Sequence, residues 1–280
     1  MIRKYCTLLA NVLKINLKIL RDYPRVFLPF TLRATASIFF LIFTFLSVNY
    51  PFAKMLGPTI TKLYGKTYLH YPYNFSMMPQ AFSDLRLFVI NPFFSTLAAA
   101  ICCGMVYDFF IKREPGFWRN FNKAMRRFFI LFPCMVILLI FNYVANKILT
   151  NYLINIPIGP SYKNIIILLI IFLVFVLIEI PFAFCFIAIM AKRRSIFSAF
   201  KESFSFSFKL FPVVFVIIFV SRLIDLGANL LLLLQPYLAE KFIPDVIALV
   251  LLISIILAVI SDTLVYSLCS CLYCLKENVK

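Results

Sequence analysis

The sequence predicts an all-α polytopic membrane protein with six transmembrane helices. Hydrophobic residues make up 63% of the 280 residues, charged residues only 14%, and the mean hydropathy is +0.97. An ordinary globular chain is about half apolar and about a quarter charged, so a water-soluble core cannot enclose this much apolar surface. The apolar residues also occur in long runs, and most basic residues lie between those runs. Both features indicate that the lipid bilayer is the solvent of this chain.

Six apolar stretches are long enough to cross the membrane, since a helix of roughly 20 residues spans about 30 Å of hydrocarbon. The second contains Asn91-Pro92 and the fourth contains Pro181. Membrane helices tolerate proline because neighbouring groups satisfy the freed carbonyl. We therefore predict one integral membrane domain over residues 1–280. Its predicted spans are 27–50, 87–111, 128–148, 164–191, 210–234 and 246–270.

The distribution of Lys and Arg predicts the orientation of the chain. Nineteen of the 28 basic residues lie in one set of alternate segments and seven in the other. Because basic segments stay in the cytoplasm, both termini are predicted to be cytoplasmic, in a cell inner or plasma membrane. A net charge of +17 does not indicate a nucleic-acid partner here, since the basic residues form no separate soluble face. The basic-rich set is 1–25, 112–127, 192–209 and 271–280; the other is 51–86, 147–163 and 235–245.

Three basic segments resemble one another and precede the first, third and fifth spans. Each ends in an apolar-Pro pair, at Leu28-Pro29, Phe132-Pro133 and Phe211-Pro212. Their helical spacing predicts basic amphipathic interfacial helices, with apolar side chains at the acyl boundary and Lys or Arg near anionic headgroups. The predicted apolar faces are Ile2, Tyr5, Leu9, Val12, Ile19 and Tyr23 in the first helix, Phe117, Phe121, Met125 and Phe128 in the second, and Phe197, Phe200, Phe204 and Phe208 in the third.

The order of these segments predicts three parallel hairpin repeats, each with an interfacial helix, a span, an outer loop and a second span. The repeats would cover about 1–111, 112–191 and 192–280. Parallel repeats imply a pseudo-symmetry axis along the membrane normal. The alternative is that three independent cytoplasmic segments look alike only because all of them are basic.

The segment KRRSIFSAFKESFSFSFKLFPVVFVIIF, at 192–219, resembles an element of poorly characterised bacterial six-helix membrane proteins. Their best-known member is the membrane domain fused to some glycerophosphodiester phosphodiesterases. The resemblance implies an integral membrane module of unassigned role. It carries no active site over, because the chain has no acidic and histidine cluster of the kind that the hydrolase needs. The resemblance rests on Ala199, Ser203, Phe204 and Phe208, with a degenerate copy at Ala124, Phe128 and Phe129.

Four ionisable residues inside the predicted spans are the candidate functional residues: Glu179, Arg222, Asp225 and Asp262. A charge at membrane depth costs several kcal/mol unless it is paired or hydrated, so such residues are candidates for function. We predict an internal ion-pair cluster, in which Arg222 pairs with Glu179 and Asp225. The cluster either locks spans four to six together or forms a substrate or proton path. Three acids against one base require that one or two carboxylates are protonated or are paired elsewhere.

Two other features leave alternatives open. Residues 51–86, rich in Tyr and Pro, are predicted to form an outer loop with an interfacial helix or an aromatic belt, or a binding loop. The C-terminal Cys269, Cys271 and Cys274 fit a metal site, juxtamembrane acylation or helix packing. Helical spacing places Cys269 off the face that the other two share.

The sequence predicts a non-enzymatic accessory or lipid-interacting module, because no nucleotide-binding, hydrolase or metalloprotease motif is present. The predicted partners are membrane lipids with anionic headgroups at the inner face, and a protein in the membrane is a second candidate partner. No nucleic acid, cofactor, metal or catalytic residue is predicted. Two alternatives remain, a transporter with a midplane site at Glu179 and Arg222 and a membrane-embedded lipid-modifying enzyme.

Overall fold

The computed structural model describes residues 2–47, 49, 51–70, 73–153, 160–192, 194–234 and 245–277, and within these ranges all regular structure is helical. Six helices are long and apolar enough to cross a membrane, which confirms the predicted class and span number. We call them spans one to six. They are Pro24–Leu46, Tyr73–Phe110, Phe128–Leu153, Lys163–Lys192, Phe211–Leu233 and Val246–Lys276.

Within and between the spans lie twelve described α-helices with short 3₁₀ and π segments. The α-helices are α1 (Ile2–Asp22), α2 (Leu28–Leu46), α3 (Phe52–Tyr64), α4 (Tyr73–Leu85), α5 (Thr96–Phe110), α6 (Phe117–Arg126), α7 (Phe128–Leu153), α8 (Pro160–Glu179), α9 (Cys185–Lys192), α10 (Ile196–Lys209), α11 (Phe211–Leu233) and α12 (Val246–Lys276). The predicted outer segment at 235–245 lies outside the described residues except for Asp245.

Span two is longer than predicted, and residues 51–86 are not simply an outer loop. The segment contains α3 and α4, and α4 continues into a π-helix over Arg86–Ser95 and then into α5. The prediction that this span begins at residue 87 was wrong. The prolines in 73–110 suggested a boundary, but the helix runs through Pro79 and Pro92, as membrane helices can when other groups satisfy the freed carbonyls.

Span four is interrupted at Pro181, where a 3₁₀ turn separates α8 from α9. Proline lacks an N–H and its ring disturbs the helix, so nearby backbone groups lose their partners. Two serines of α10 replace those partners. Ser203 Oγ donates to the Pro181 carbonyl (2.6 Å) and accepts from the Phe184 N–H (3.1 Å), while Ser207 Oγ donates to the Ile180 carbonyl (2.7 Å).

The three basic helices α1, α6 and α10 pack around one end of the bundle, which we call the basic end. Their buried residues belong to the same core as the last turns of α5, α9 and α12. A smaller core lies toward the opposite end. That second core consists of Leu41, Phe75, Met78, Phe82, Ile90, Ile247, Leu251 and Ile255.

The basic helices differ in where their apolar faces point. On α10, Phe197, Phe204 and Phe208 are exposed, and small residues face the protein. On α1, by contrast, Val12 and Ile19 are fully buried in the protein core. The prediction that this face of α1 lies at the acyl boundary was therefore wrong, because the last helix of the chain, α12, covers it.

Helix α6 is held against α5 by polar contacts. Asn120 is buried, and its side-chain amide donates to Asp108 and to the Gly116 carbonyl (2.9 Å). Arg119 also donates to Asp108 (2.6 Å). A Cβ on Gly104 would collide with the Asn120 side chain, so this close approach requires glycine.

The three C-terminal cysteines are all buried on α12, including Cys269, which spacing placed off the common face. The end of α12 is surrounded on several sides by α1 and α5, so more than one helix face is covered. Cys271 Sγ lies 3.7 Å from the side-chain oxygen of Asn16 on α1. In this structure the three thiols pack the core of the basic end.

Candidate functional site

The structure brings the four sequence-predicted residues together in the middle of the bundle. Arg222 and Asp225 lie on α11, Glu179 is the last residue of α8, and Asp262 lies midway along α12. A fifth residue, Arg33 of α2, joins them. We call these five residues the charge cluster. All five side chains are buried or largely buried, with Arg33 and Asp262 the least exposed.

Arg222 is the centre of the charge cluster, and each of its three side-chain nitrogens donates to the protein. Its Nε and Nη2 each donate to one carboxylate oxygen of Glu179, at 2.8 and 2.6 Å. Its Nη1 reaches Asp225 Oδ2 (2.8 Å), Asp262 Oδ1 (2.6 Å) and Ser261 Oγ (3.3 Å). Ser261 in turn donates to Asp225 Oδ2 (2.7 Å). A two-pronged arginine–carboxylate contact is among the stronger and more specific polar interactions in proteins.

Arg33 links the first two spans to this centre. Its Nη1 donates to Asp262 Oδ2 and lies 3.5 Å from Ser95 Oγ, at the end of the π-helix. Ser95 also donates to the side-chain oxygen of Asn91 (3.2 Å). The Arg33 guanidinium lies 5.8 Å from the centre of the Phe30 ring, within cation–π range. Its Nε is buried and has no hydrogen-bond partner among the described residues.

Arg86, at the start of the π-helix, completes the charge balance. It lies within electrostatic range of Arg33, Arg222, Asp225 and Asp262. With Arg86 included, the charges of three arginines balance those of three carboxylates. The sequence suggested one base against three acids, and the two arginines that it missed supply the missing positive charge.

The charge cluster and its neighbours connect five of the six spans, since Ser95 belongs to span two. Taking charges out of water is expensive, and mutual pairing offsets that cost only when geometry and hydrogen bonding are good. Here an oxygen of each carboxylate lies no more than 2.8 Å from a side-chain nitrogen of at least one arginine. The arrangement can hold the helices in register. Every side-chain nitrogen of Arg222 donates to an acceptor of the protein.

Sequence reasoning missed Arg33 and Arg86 for different reasons. Arg33 lies inside predicted span one, so the rule that selected Arg222 should have selected it as well. Arg86 was assigned to the outer loop because the Pro- and Tyr-rich segment hid the start of span two. Asn229, which shares a helical stripe with Arg222 and Asp225, is exposed on α11 and contributes no described contact to the charge cluster.

Two pockets lie away from the charge cluster. One, of about 300 Å³, is mostly apolar and lies between α2, α3 and span two toward the opposite end. The other, of about 380 Å³, lies at the basic end along α10. Among the described residues, no group of three or more His, Cys, Asp or Glu side chains has a metal-binding arrangement.

The fold and the site define a helical multi-pass membrane protein whose spans are joined by a buried ion-pair network. No family of known proteins, no curated protein and no solved structure matches the chain.

Proposed function

We propose that this chain is a non-enzymatic accessory module of a cell inner or plasma membrane that binds anionic lipid headgroups through its basic end. The observation that carries the proposal is the surface of the basic helices. Large apolar side chains are exposed beside Lys and Arg on the same helices, with Trp118 72% and Phe197 87% exposed. Such helices lie in the membrane interface, with apolar groups in the acyl boundary and cations among the headgroups.

The proposed orientation places the basic end and both termini in the cytoplasm. Arg86 was counted with the outer segments, but it belongs to span two. The spans also contain Lys147 and Lys163 of the outer set and Arg25, Lys192 and Lys276 of the inner set. Outside the spans, 16 basic residues of the inner set then stand against 4 of the outer set, which is a stronger bias than 19 against 7. Anionic lipids of the cytoplasmic leaflet then attract each Lys or Arg near the surface by about 1 kcal/mol.

The proposal treats the charge cluster as a lock between spans and not as a transport site. Support comes from Arg222, whose three nitrogens donate to side chains of spans four, five and six. A ligand that bound there would have to displace carboxylates already in direct contact with the guanidinium. Such displacement is costly because it leaves charges buried and unpaired.

The proposal includes the threefold repeat and its three parallel hairpins. Corresponding positions in the basic helices support it. Thirteen residues before the marker prolines Pro29, Pro133 and Pro212 stand Asn16, Asn120 and Ala199, and all three are buried against the bundle. In each repeat, the interfacial helix would then pack against the bundle through the residue thirteen positions before the proline. The proposal also includes the resemblance of the segment at 192–219 to the bacterial six-helix membrane proteins described above.

The lipid proposal predicts selective retention of anionic lipid. The purified protein would be placed in nanodiscs of equal phosphatidylcholine and phosphatidylglycerol, gently stripped with detergent and examined by native mass spectrometry. We expect phosphatidylglycerol to be enriched, and the enrichment to fall between about 0.05 M and about 0.5 M salt because salt screens exposed charges.

A matched control removes two cations from the opposite end. Lys54 and Lys62 lie on α3, and K54Q/K62Q should leave the enrichment unchanged. Equal retention of both lipids at low salt would contradict the proposal. A bound small molecule that wild type retains and a folded Glu179→Gln variant does not would instead favour a transporter.

A further inference from the structure

The pocket of about 380 Å³ at the basic end is formed mainly by one helix, α10, and by the end of span six. It is open on one side and lined by polar and charged groups. Its lining consists of Arg194, Ser198, Lys201, Glu202, Ser205, Phe206, Lys209 and Glu277.

The helical spacing of α10 gives it three distinct faces. One face carries Ala199, Ser203 and Ser207 into the protein. The second carries exposed phenylalanine rings, including Phe204 and Phe208. The third carries the cations and hydroxyls that line the pocket. If the rings enter the acyl region, the third face lies at the level of lipid headgroups.

The two carboxylates of the pocket already have cationic partners. Glu202 accepts from Lys192 (2.9 Å) and Arg194 (3.1 Å), and Glu277 accepts from Lys192. Burial raises the pKa of Glu202, but hydrogen bonds from Tyr273 and Lys192 and the nearby positive charges outweigh burial, so the pKa lies below its ordinary value. Glu202 is therefore ionised and neutralised at neutral pH.

Lys201 and Lys209 remain available. Both are exposed, and neither forms an ion pair within the described part of the chain. Ser205 stands between them on the same helix face, whereas Ser198 lies before Lys201, about 10 Å from Ser205 along the helix axis. The two long lysine side chains can converge near Ser205, and two ammonium groups with one hydroxyl supply several donors for the oxygens of one phosphate group.

We propose that this pocket binds the phosphate of an anionic phospholipid headgroup, with Lys201 and Lys209 as the charged ligands and Ser205, which stands between them, as the hydroxyl donor. This inference rests on the proposed function and assigns the lipid to a defined place. A phospholipid is favoured over free phosphate because Phe204 and Phe208 adjoin the two lysines on α10 and can contact the acyl chains.

The test is the retention of phosphatidylglycerol by K201Q/K209Q. The variant would be compared with wild type in nanodiscs of phosphatidylglycerol and phosphatidylcholine, by native mass spectrometry after partial delipidation. We expect wild type to keep one tightly bound phosphatidylglycerol and the variant to bind it roughly ten- to thirtyfold more weakly, as the loss of two interfacial cations implies. Both lysines are exposed, so the thermal unfolding midpoint should not change.

The matched control is K14Q/K18Q, which removes two exposed cations from α1 at the same end of the bundle. This variant should keep the tightly bound lipid. If both double variants lose it equally, the pocket is not the site, although general anionic-lipid binding by the basic end would stand. If neither wild type nor variants prefer phosphatidylglycerol, the proposed function fails as well.

Inorganic phosphate distinguishes the two sources of the ligand. In nanodiscs of phosphatidylcholine alone, millimolar-range phosphate should not protect Lys201 and Lys209 from an amine-modifying reagent, whereas phosphatidylglycerol should. Protection by phosphate alone would show a free-anion site and would overturn the assignment to lipid.

Discussion

Arg222 donates from all three side-chain nitrogens to groups on three spans, and this contact set determines what its removal does. Arg222→Leu would leave Glu179 and Asp225 without the cation that they contact directly. Breaking a buried ion pair from one side costs about 3–5 kcal/mol, since the remaining charge is buried and unpaired. We expect a clear loss of folded protein and a lower thermal unfolding midpoint in detergent.

Glu179→Gln in the same chain should partly restore stability, because it removes one of the orphaned charges. Asn229→Leu is the matched control on α11, since Asn229 is exposed and lies outside the charge cluster. Unchanged expression and unfolding midpoint in Arg222→Leu would mean that the cluster does not hold the spans together.

At this scale the sequence predicted four of the residues that meet, but not the arginines that balance their charges. Glu179, Arg222, Asp225 and Asp262 stand out as ionisable groups in apolar runs, which is a local signal. The partner Arg33 depends on how span one packs against span six, a long-range contact between residues 229 positions apart. No local pattern contains that information.

Helix α10 shows why small residues matter in elements that pack within membranes. Three of its phenylalanines are exposed, whereas its fully buried side chains are the small residues Ala199, Ser203 and Ser207. Phe200 and Phe206 pack beside them against the core. Between helices in lipid, small side chains allow close approach and hydroxyls satisfy polar groups. The resemblance motif contains two of these three positions.

Ser203→Ala tests the role of α10 at the break in span four. The change removes the donor to the partly buried Pro181 carbonyl and the acceptor of the buried Phe184 N–H. An unsatisfied buried polar group costs about 1–3 kcal/mol. We expect a lower thermal unfolding midpoint in one fixed detergent, without loss of expression as severe as that of Arg222→Leu.

Ser205→Ala, on the exposed side of the same helix, is the comparison for the change of residue type. In delipidated detergent, where no headgroup occupies the pocket, its unfolding midpoint should match that of wild type. Equal midpoints for the Ser203 and Ser205 variants would mean that water or a rearranged backbone supplies the hydrogen bonds that Ser203 makes in wild type.

Over the whole molecule, the charge cluster lies between two apolar cores. The larger core joins the basic helices to the span ends at the basic end, and the smaller one joins spans one, two and six near the opposite end. Hydropathy predicted the six spans because bilayer thickness imposes a length that a sequence shows directly. Which helix covers which face, as α12 covers α1, follows from the packing of distant segments and was not predictable from periodicity.

The topology of the whole chain can be tested with its own cysteines, because Cys6 on α1 is exposed and the other seven are buried. Both termini are predicted to be cytoplasmic, so a membrane-impermeant maleimide should label the protein in inverted membrane vesicles and not in intact cells. Cys6→Ser should abolish that labelling, which separates Cys6 from any transient exposure of the buried thiols. Labelling from outside intact cells would reverse the orientation, and the basic end would then face away from the anionic cytoplasmic leaflet on which the lipid-binding role depends.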